Sequence, residues 1–551
     1  MPVIQLSLSR LEQYCKKKAD ERKIIEILPY LGLDIEDQAG DIVNIEYSPN
    51  RPDFSSEAGV ARALVGLLGI ETGPPKYFFP PSNFKVSLSG TEIKQTRPFI
   101  HAIYSEIPLT DENIKQLIAM QEDLHNGIGR KRSKVAIGIH NAEVISNQIR
   151  LYATRDEKFS FVPLGSTKNQ NIREILSSTD QGLAYRKLLS GSYPILEDSR
   201  GNVLSMPPII NGELTRLRPG LSRLFIDLTG TDERALDATT AIVASMLHDS
   251  GGKVYSVEIQ QDVGNFWTPD MSPKTMRFDL ELTNGILGEE FSVSDAARAL
   301  ERSRIGLYGN GDAIIARYRY DIIHPIDLVE EVALGFGIQK FAAQNLKSSL
   351  IGSFSKRQKK IDLVIDVLVG MELTEIWNLS LTSLEQVTHC KRTGLIKVED
   401  SKSQSFEFLR CDIIASLLAT LGASTHQEYP QRIFEQAPVF KISEETVSSI
   451  AEEDHVSVVI ADSGVNYSMI RSVIDGLFRL LLGEKTSISF KQLQEELEPF
   501  ALGRSAVISM KGADSSEIGV VGEISPKFLE RYGLKVPASA FELNLEPFLK
   551  D

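Results

Sequence analysis

The chain has 551 residues, 42% of them hydrophobic and 24% charged, with a formal net charge of −14. That composition fits an ordinary soluble protein long enough for several domains. Its acidity excludes a protein that grips nucleic acid with its whole surface, so any RNA contact needs a local patch or a partner.

Three cysteines, Cys15, Cys390 and Cys411, show no metal-type spacing and point to a reducing compartment without a disulfide framework. The N-terminus has no basic segment followed by an apolar core, so no secretory signal is expected. No apolar run is long enough to span a membrane.

Residues 1–85 read as a small α/β domain. Ile4, Leu6 and Leu8 alternate as a strand, 11–31 reads as a helix, and 41–47 as a second strand. Ser48-Pro49-Asn50-Arg51-Pro52-Asp53 is a rigid turn before a helix over 57–68, with Asp53 and Ser55 as candidate caps. Prolines at 74, 75, 80 and 81 mark a linker.

Residues 88–265 form the next domain. Arg130, Lys131, Arg132 and Lys134 make the densest basic run in the chain, a solvated charge run or a phosphate-contacting patch. An apolar strand, 135–140, follows and ends in His140, more readily a core histidine than a base. Asn211-Gly212 between two apolar runs signals a hairpin. In the strand 224–229, Phe225, Asp227 and Thr229 share one face and Ile226 and Leu228 the other, and the polar Asp227/Thr229 pair reads equally as plain surface. Asp232 then starts a helix through about His248.

Residues 270–342 alternate as a strand over 276–282, read as a helix over 292–302, and supply a hairpin around a Gly-Asn-Gly-Asp turn at 309–312. Arg317 to Ile322 alternates with the period of a half-buried strand, Pro325 breaks the chain, and a helix runs on from Asp327. Asp327, Glu330 and Glu331 fall on one helical face, near Asp321. Four close carboxylates need a counter-charge: a hard cation such as Mg²⁺ would serve, and a capped acidic first helical turn is the plainer reading. Residues 350–551 mix helices with long strands, among them 431–435, 521–524 and 541–545.

Four stretches together resemble one family. Asp321-x5-Asp327-Leu-Val-Glu-Glu-Val-Ala resembles the metal signature of the phenylalanyl-tRNA synthetase beta subunit, and Asn50 to Arg62 resembles a second fixed element of it. Pro207-Pro208-Ile-Ile-Asn-Gly-Glu, then Phe225-Ile-Asp-Leu-Thr-Gly-Thr-Asp, then Gly251-Gly-Lys-Val-Tyr-Ser-Val resemble the editing domain of its archaeal and eukaryotic type. The last 200 residues resemble a class II synthetase module, but the strand Phe541-Glu-Leu-Asn-Leu545 lacks the arginine and glycine such a site needs.

The resemblance implies an α+β multidomain chain: N-terminal domain, editing domain, small winged-helix-like metal domain and a non-catalytic class II antiparallel-sheet module. It implies a cytoplasmic α2β2 ligase that joins phenylalanine to tRNA(Phe) using ATP, with activation in an alpha subunit. This chain would give assembly, tRNA binding and hydrolytic editing of Tyr-tRNA(Phe). The implied editing pocket is Leu196, Ser205, Asp227 and Thr229, and the implied Mg²⁺ ligands are Asp321, Asp327, Glu330 and Glu331. The bacterial form's C-terminal anticodon-binding domain is expected to be missing. A scaffold subunit with a decayed pocket and a free-standing editing hydrolase are the alternatives.

Overall fold

The computed structural model describes residues 2–262, 264–309, 311–343, 345, 350–387, 394–482, 488–510 and 517–549. Its packing separates two compact units, Met1–Asn345 and Leu346–Asp551.

The first unit opens with a three-stranded antiparallel sheet in the order Val3–Ser7, Ile42–Tyr47, Leu33–Ala39. The expected long helix is two, Leu8–Tyr14 and Glu21–Ile27. Lys16 and Lys17 break it with left-handed backbone (φ 53° and 57°), and Asp20 restarts it by accepting from Lys23 N at 2.9 Å. The helix Glu57–Leu67 is capped by Ser56, not by Asp53 or Ser55. Asp53 instead holds the Arg51 guanidinium, at 2.9 and 2.8 Å. Gly59 passes so close to the Asp53 carbonyl that a Cβ there would lie 1.7 Å from its oxygen, so the turn and helix pack only with glycine at this position.

A ten-stranded sheet follows. Its main path runs Ile210–Asn211, Val203–Met206, Tyr193–Asp198, Gln148–Thr154, Pro81–Leu88, Lys253–Gln261, Phe99–Glu106, Arg223–Gly230, Val135–Asn141. Residues 81–85, read above with the N-terminal stretch, therefore belong to this sheet. The alternation over 224–229 appears as expected: Phe225 packs with Leu196 and Leu204, while Ile226 and Leu228 pack under Leu124 and Leu236 of the helices Asp111–Asn126 and Glu233–Asp249. The hairpin turn is not at Asn211-Gly212. Ser205 pairs with Asn211 and Met206 with Ile210, so the chain turns at 207–209, where two prolines need no backbone donor.

A third sheet, Lys274–Arg277, Asp312–Ile315, Gly306–Leu307, carries the helices Leu280–Leu287, Val293–Arg302 and Pro325–Phe336. The strand expected to reach 282 stops because Asp279 caps a helix, accepting from Leu282 N at 2.9 Å. The turn at 309–312 includes residue 310, outside the described residues. Residues 317–322 are not a strand. Arg319 N donates to Ala316 O and Tyr320 N to Tyr318 O, both at 3.0 Å, so the chain turns there with Arg319 facing inward. Pro325 starts its helix rather than breaking the chain, in the first-turn position where a missing N–H costs nothing.

The second unit is a seven-stranded sheet in the order Thr374–Glu375, Gln431–Ile442, Ile450–Ala461, Ala538–Asn544, Glu517–Ile524, Phe500–Met510, Ile488–Gln492, antiparallel except at its first pair. Alternate residues feed two cores: Val456, Val458 and Ile460 meet the helices Lys356–Gly370 and Tyr467–Leu482, and Val459 and Ala461 meet Ile414–Ala423. Cys15 is a buried free thiol. Cys411 is disulfide-bonded, a correction to the reading of a chain without disulfides. No described helix is long and apolar enough to cross a membrane.

Candidate functional site

A 230 Å³ cavity in the first unit brings the two ends of the ten-stranded sheet together. Ser205 and the 207–211 turn line it from one end, Gly138 and Asp227 from the other, with Gln121, Glu122, His125 and Arg132 at its side. Ser205 is 2% exposed, and its Oγ has no hydrogen-bond partner among the described residues. A buried hydroxyl left unpaired costs about 1–3 kcal/mol. Of the expected pocket residues, Ser205 and Asp227 line the cavity. Leu196 lies behind it, cross-strand from Ser205 and in the core with Phe225. Thr229, further along the same face, does not line it and accepts from Arg97 Nε at 3.3 Å.

Asp227 is held from behind. His140, fully buried, sets Nε2 2.7 Å from Asp227 Oδ1 and Nδ1 2.8 Å from Thr215 Oγ1. One carboxylate oxygen is thereby committed, leaving the other available to the cavity. Gly138 sits opposite Asp227 in the ladder, and a Cβ there would lie 2.3 Å from Asp227 Oδ1 and 2.7 Å from His140 Nε2. Arg97 supplies the counter-charge. It binds the carbonyls of Thr229 (2.6 Å) and Arg132 (3.1 Å), and burial pushes its guanidinium down to about 10 while the Asp227 charge acts against that fall. At the cavity side, His125 Nε2 accepts from Ile137 N at 2.8 Å, which leaves Nδ1 to face Glu122 at 3.2 Å. Burial lowers the His125 ring from its ordinary value, and the hydrogen bond to Glu122 acts against that fall. Arg97, His125 and Thr215 gave no motif in the sequence. Only the Glu122–His125 spacing of three on a helix could have hinted at a pair.

The basic run divides in two. Arg130, Lys131 and Arg132 all take left-handed backbone (φ 48°, 52° and 64°), unusual for non-glycine residues. Arg130 and Lys131 are exposed. Arg132 turns inward, binding Glu122 at 2.9 Å and the Ile209 carbonyl at 3.0 Å and stacking 4.4 Å over Tyr185. Lys134 pairs with Asp232 at 2.7 Å.

The acidic turn is compensated from within. Arg319 binds Asp321 (2.9 and 2.6 Å) and also Glu331, and Arg51 lies 3.9 Å from Asp321. The Asn50 to Arg62 motif and the acid motif are thus one buried charge array, tied further by Arg62 stacked 4.1 Å over Tyr318. Asp327 Oδ2 accepts from Ile323 N (2.8 Å) and His324 N (2.7 Å), closing the helix start. Burial and the charges of Glu331, Asp321 and Asp327 raise the Glu330 carboxyl above its ordinary value. In kind, four carboxylates suit Mg²⁺. In placement they do not: Arg319 stands between Asp321 and Glu331, Asp327 faces backbone, and the described residues hold no group of three placed to bind a metal.

A relative from Archaeoglobus fulgidus named phenylalanine–tRNA ligase beta subunit is 34% identical over 560 residues, covering 100% of this chain and 99% of that protein. The chain belongs to the phenylalanine–tRNA ligase beta-subunit family. Beta subunits from Korarchaeum cryptofilum and Methanocaldococcus jannaschii are each 33% identical over 99% of this chain, and cover 99% and 100% of their own lengths. Family profiles described as tRNA synthetase B5 domain and phenylalanyl tRNA synthetase beta chain CLM domain match residues 276–338 and 346–545. A crystal structure of an N-terminal fragment of the Pyrococcus horikoshii beta subunit aligns with a TM-score of 0.58 at 30% identity, covering 61% of this chain and 99% of the fragment.

In this beta subunit the acid turn lies inside the B5 match and the seven-stranded sheet inside the CLM match. The CLM sheet commits its buried charges to itself. Arg410 pairs with Glu435 at 2.6 Å, and Glu542 accepts from Ile413 N (2.9 Å), Ile414 N (3.2 Å) and faces His455 Nδ1 (2.7 Å). Neither Arg410 nor the final strand offers a free cation for a nucleotide phosphate.

Proposed function

We propose that this beta subunit serves a phenylalanine–tRNA ligase by binding tRNA and by hydrolysing tyrosine from mischarged tRNA(Phe), with activation left to an alpha subunit. The observation that carries the reading is the meeting of Ser205 Oγ, buried and unpartnered, with Asp227 in one cavity. A synthetic pocket built for phenylalanine rejects an added hydroxyl only about 100-fold, so a second site that welcomes the hydroxyl has work to do. Asp227 and Ser205 receive the tyrosine hydroxyl. Phenylalanine would leave both polar groups unpaired, and a site built for a hydroxyl rejects the analogue lacking it. His140, 2.7 Å from Oδ1, keeps the Asp227 carboxylate aimed. The aminoacyl ester is already reactive, so holding its carbonyl against a water breaks the ester C–O bond without a protein nucleophile: water supplies the new oxygen and the ribose oxygen leaves protonated. Arg130, Lys131 and Lys134 contact phosphate, and Arg132 props the 207–209 turn.

The test is release of tyrosine from mischarged tRNA(Phe) by the chain assembled with its alpha subunit, wild type against Asp227→Ala. Lost release with intact Phe-tRNA synthesis supports the reading. Equal release refutes it.

A further inference from the structure

Two clefts of the first unit meet beside the basic loop. One, of 870 Å³, is lined by the 49–52 turn, Arg130, Lys134, Arg234 and Tyr320. The other, of 820 Å³, is lined by Arg234, Phe266, Trp267, Lys274 and Arg317. Arg234 and Ile323 belong to both, so the two open onto one trough. Each falls within the ~300–1,000 Å³ of ordinary ligand sites.

The two clefts are lined by five cationic and five acidic side chains, a balanced set in a chain whose net charge is −14. Asp237 and Asp270 face Arg317, and Asp321 faces Arg319. Arg130, Arg234 and Lys274 have no ion-pair partner among the described residues. Burial, with Arg317 and Arg234 nearby, lowers the Lys274 ammonium from its ordinary value, while Asp237 and Asp321 act against that fall. Aromatic rings line the same clefts: Tyr320 with Arg234 5.3 Å from its ring, and Phe266 and Trp267, which are 38% and 46% exposed. Cations without an ion-pair partner beside the exposed Phe266 and Trp267 rings suit a chain of phosphates and bases, because any base can stack and each phosphate offsets a cation. The left-handed turn at Arg130–Arg132 links this trough to the cavity. It sends Arg130 to the first cleft and Arg132 into the wall beside Asp227. Non-glycine residues held in that conformation cluster at functional sites.

We infer that the trough is a track for unpaired RNA nucleotides, which carries the 3′ strand past the basic loop to the Asp227 cavity. The inference rests on the tRNA-binding reading above and names the surface that reading leaves open. It predicts that a fluorescently labelled single-stranded oligoribonucleotide binds the full chain through Arg234 and Trp267. Both are exposed, so Arg234→Ala and Trp267→Ala should fold as wild type, which a melting curve checks.

By anisotropy, Trp267→Ala should weaken binding about 5-fold or more, the loss of one stacked base. Arg234→Ala should lower the slope of log K against log salt by about 0.7, one phosphate contact on a single strand. Weakening by Arg130→Ala with wild-type binding in both trough variants overturns the track and leaves the tRNA-binding reading standing. Wild-type binding in all three variants overturns both. Equal displacement of the oligonucleotide by polyglutamate of matched charge overturns the track in favour of an acidic polypeptide.

Discussion

The Asp227–His140 pair depends on a residue with no side chain. In Gly138→Ala, the new Cβ would lie 2.3 Å from Asp227 Oδ1 and 2.7 Å from His140 Nε2, closer than any tolerated contact. Neither group can swing into solvent, since Asp227 is 1% exposed and His140 fully buried. The 2.7 Å bond between them must therefore open. A hydrogen bond to a charged group contributes about 1.5–3 kcal/mol. If that energy is what aims the carboxylate, tyrosine release slows roughly 10- to 150-fold. The same loss appears as a fall of a few degrees in melting temperature. The assay is release of labelled tyrosine from mischarged tRNA(Phe) by the full chain with its alpha subunit, run beside Phe-tRNA synthesis. Slowed release with normal synthesis fits the argument. Release at the wild-type rate would refute it, because the carboxylate would then work without its buried support.

Ser205→Ala removes a buried hydroxyl that has no partner among the described residues. The variant should melt at or above the wild-type temperature, since an unsatisfied polar atom is gone, while tyrosine release falls; a lower melting temperature would show that Oγ already has a structural partner. At His455, burial favours the neutral ring, but the hydrogen bonds and charges of Glu453 and Glu542 outweigh it and raise the ring from 6.5 to about 9. A folded value above the unfolded one means stabilisation that is complete below about pH 6.5 and lost as pH rises through 9, up to about 3 kcal/mol. Denaturant melts of wild type and His455→Gln across pH 6–10 check this, and parallel curves would rule it out. Because Arg319 already neutralises Asp321 and Glu331, EDTA should leave the melting temperature of the full chain unchanged. A drop of several degrees would mean that a divalent ion, not Arg319, holds the acids.

What the sequence made legible follows the strength of local periodicity. The strand 224–229 alternates cleanly because one face meets helices and the other a second core, so its register could be read directly, but whether Asp227 lay in that core or on the surface could not. The same test misfired at 317–322. There the alternation of tyrosines and arginines imitated a strand, while the physical cause was an arginine turned inward to two carboxylates. Period-2 patterns cannot separate a charged outer face from a charge buried against its partner, because that difference lies in residues far away: Glu331 is 12 positions on, and Arg51 comes from another sheet's turn. The strand Leu33–Ala39 was illegible for the opposite reason, since its largely exposed face carries too few apolar residues to register.

The cavity shows the same limit. Asp227 and Ser205 could be named from motifs, but their meeting required a sheet whose first and last strands close on one space. Arg97, His140 and Thr215 gather round that strand from positions far apart in the chain. Gly138 shows the point most sharply: in sequence it is one glycine in an apolar run, and only the ladder register reveals that its missing Cβ is the room in which the Asp227–His140 bond forms.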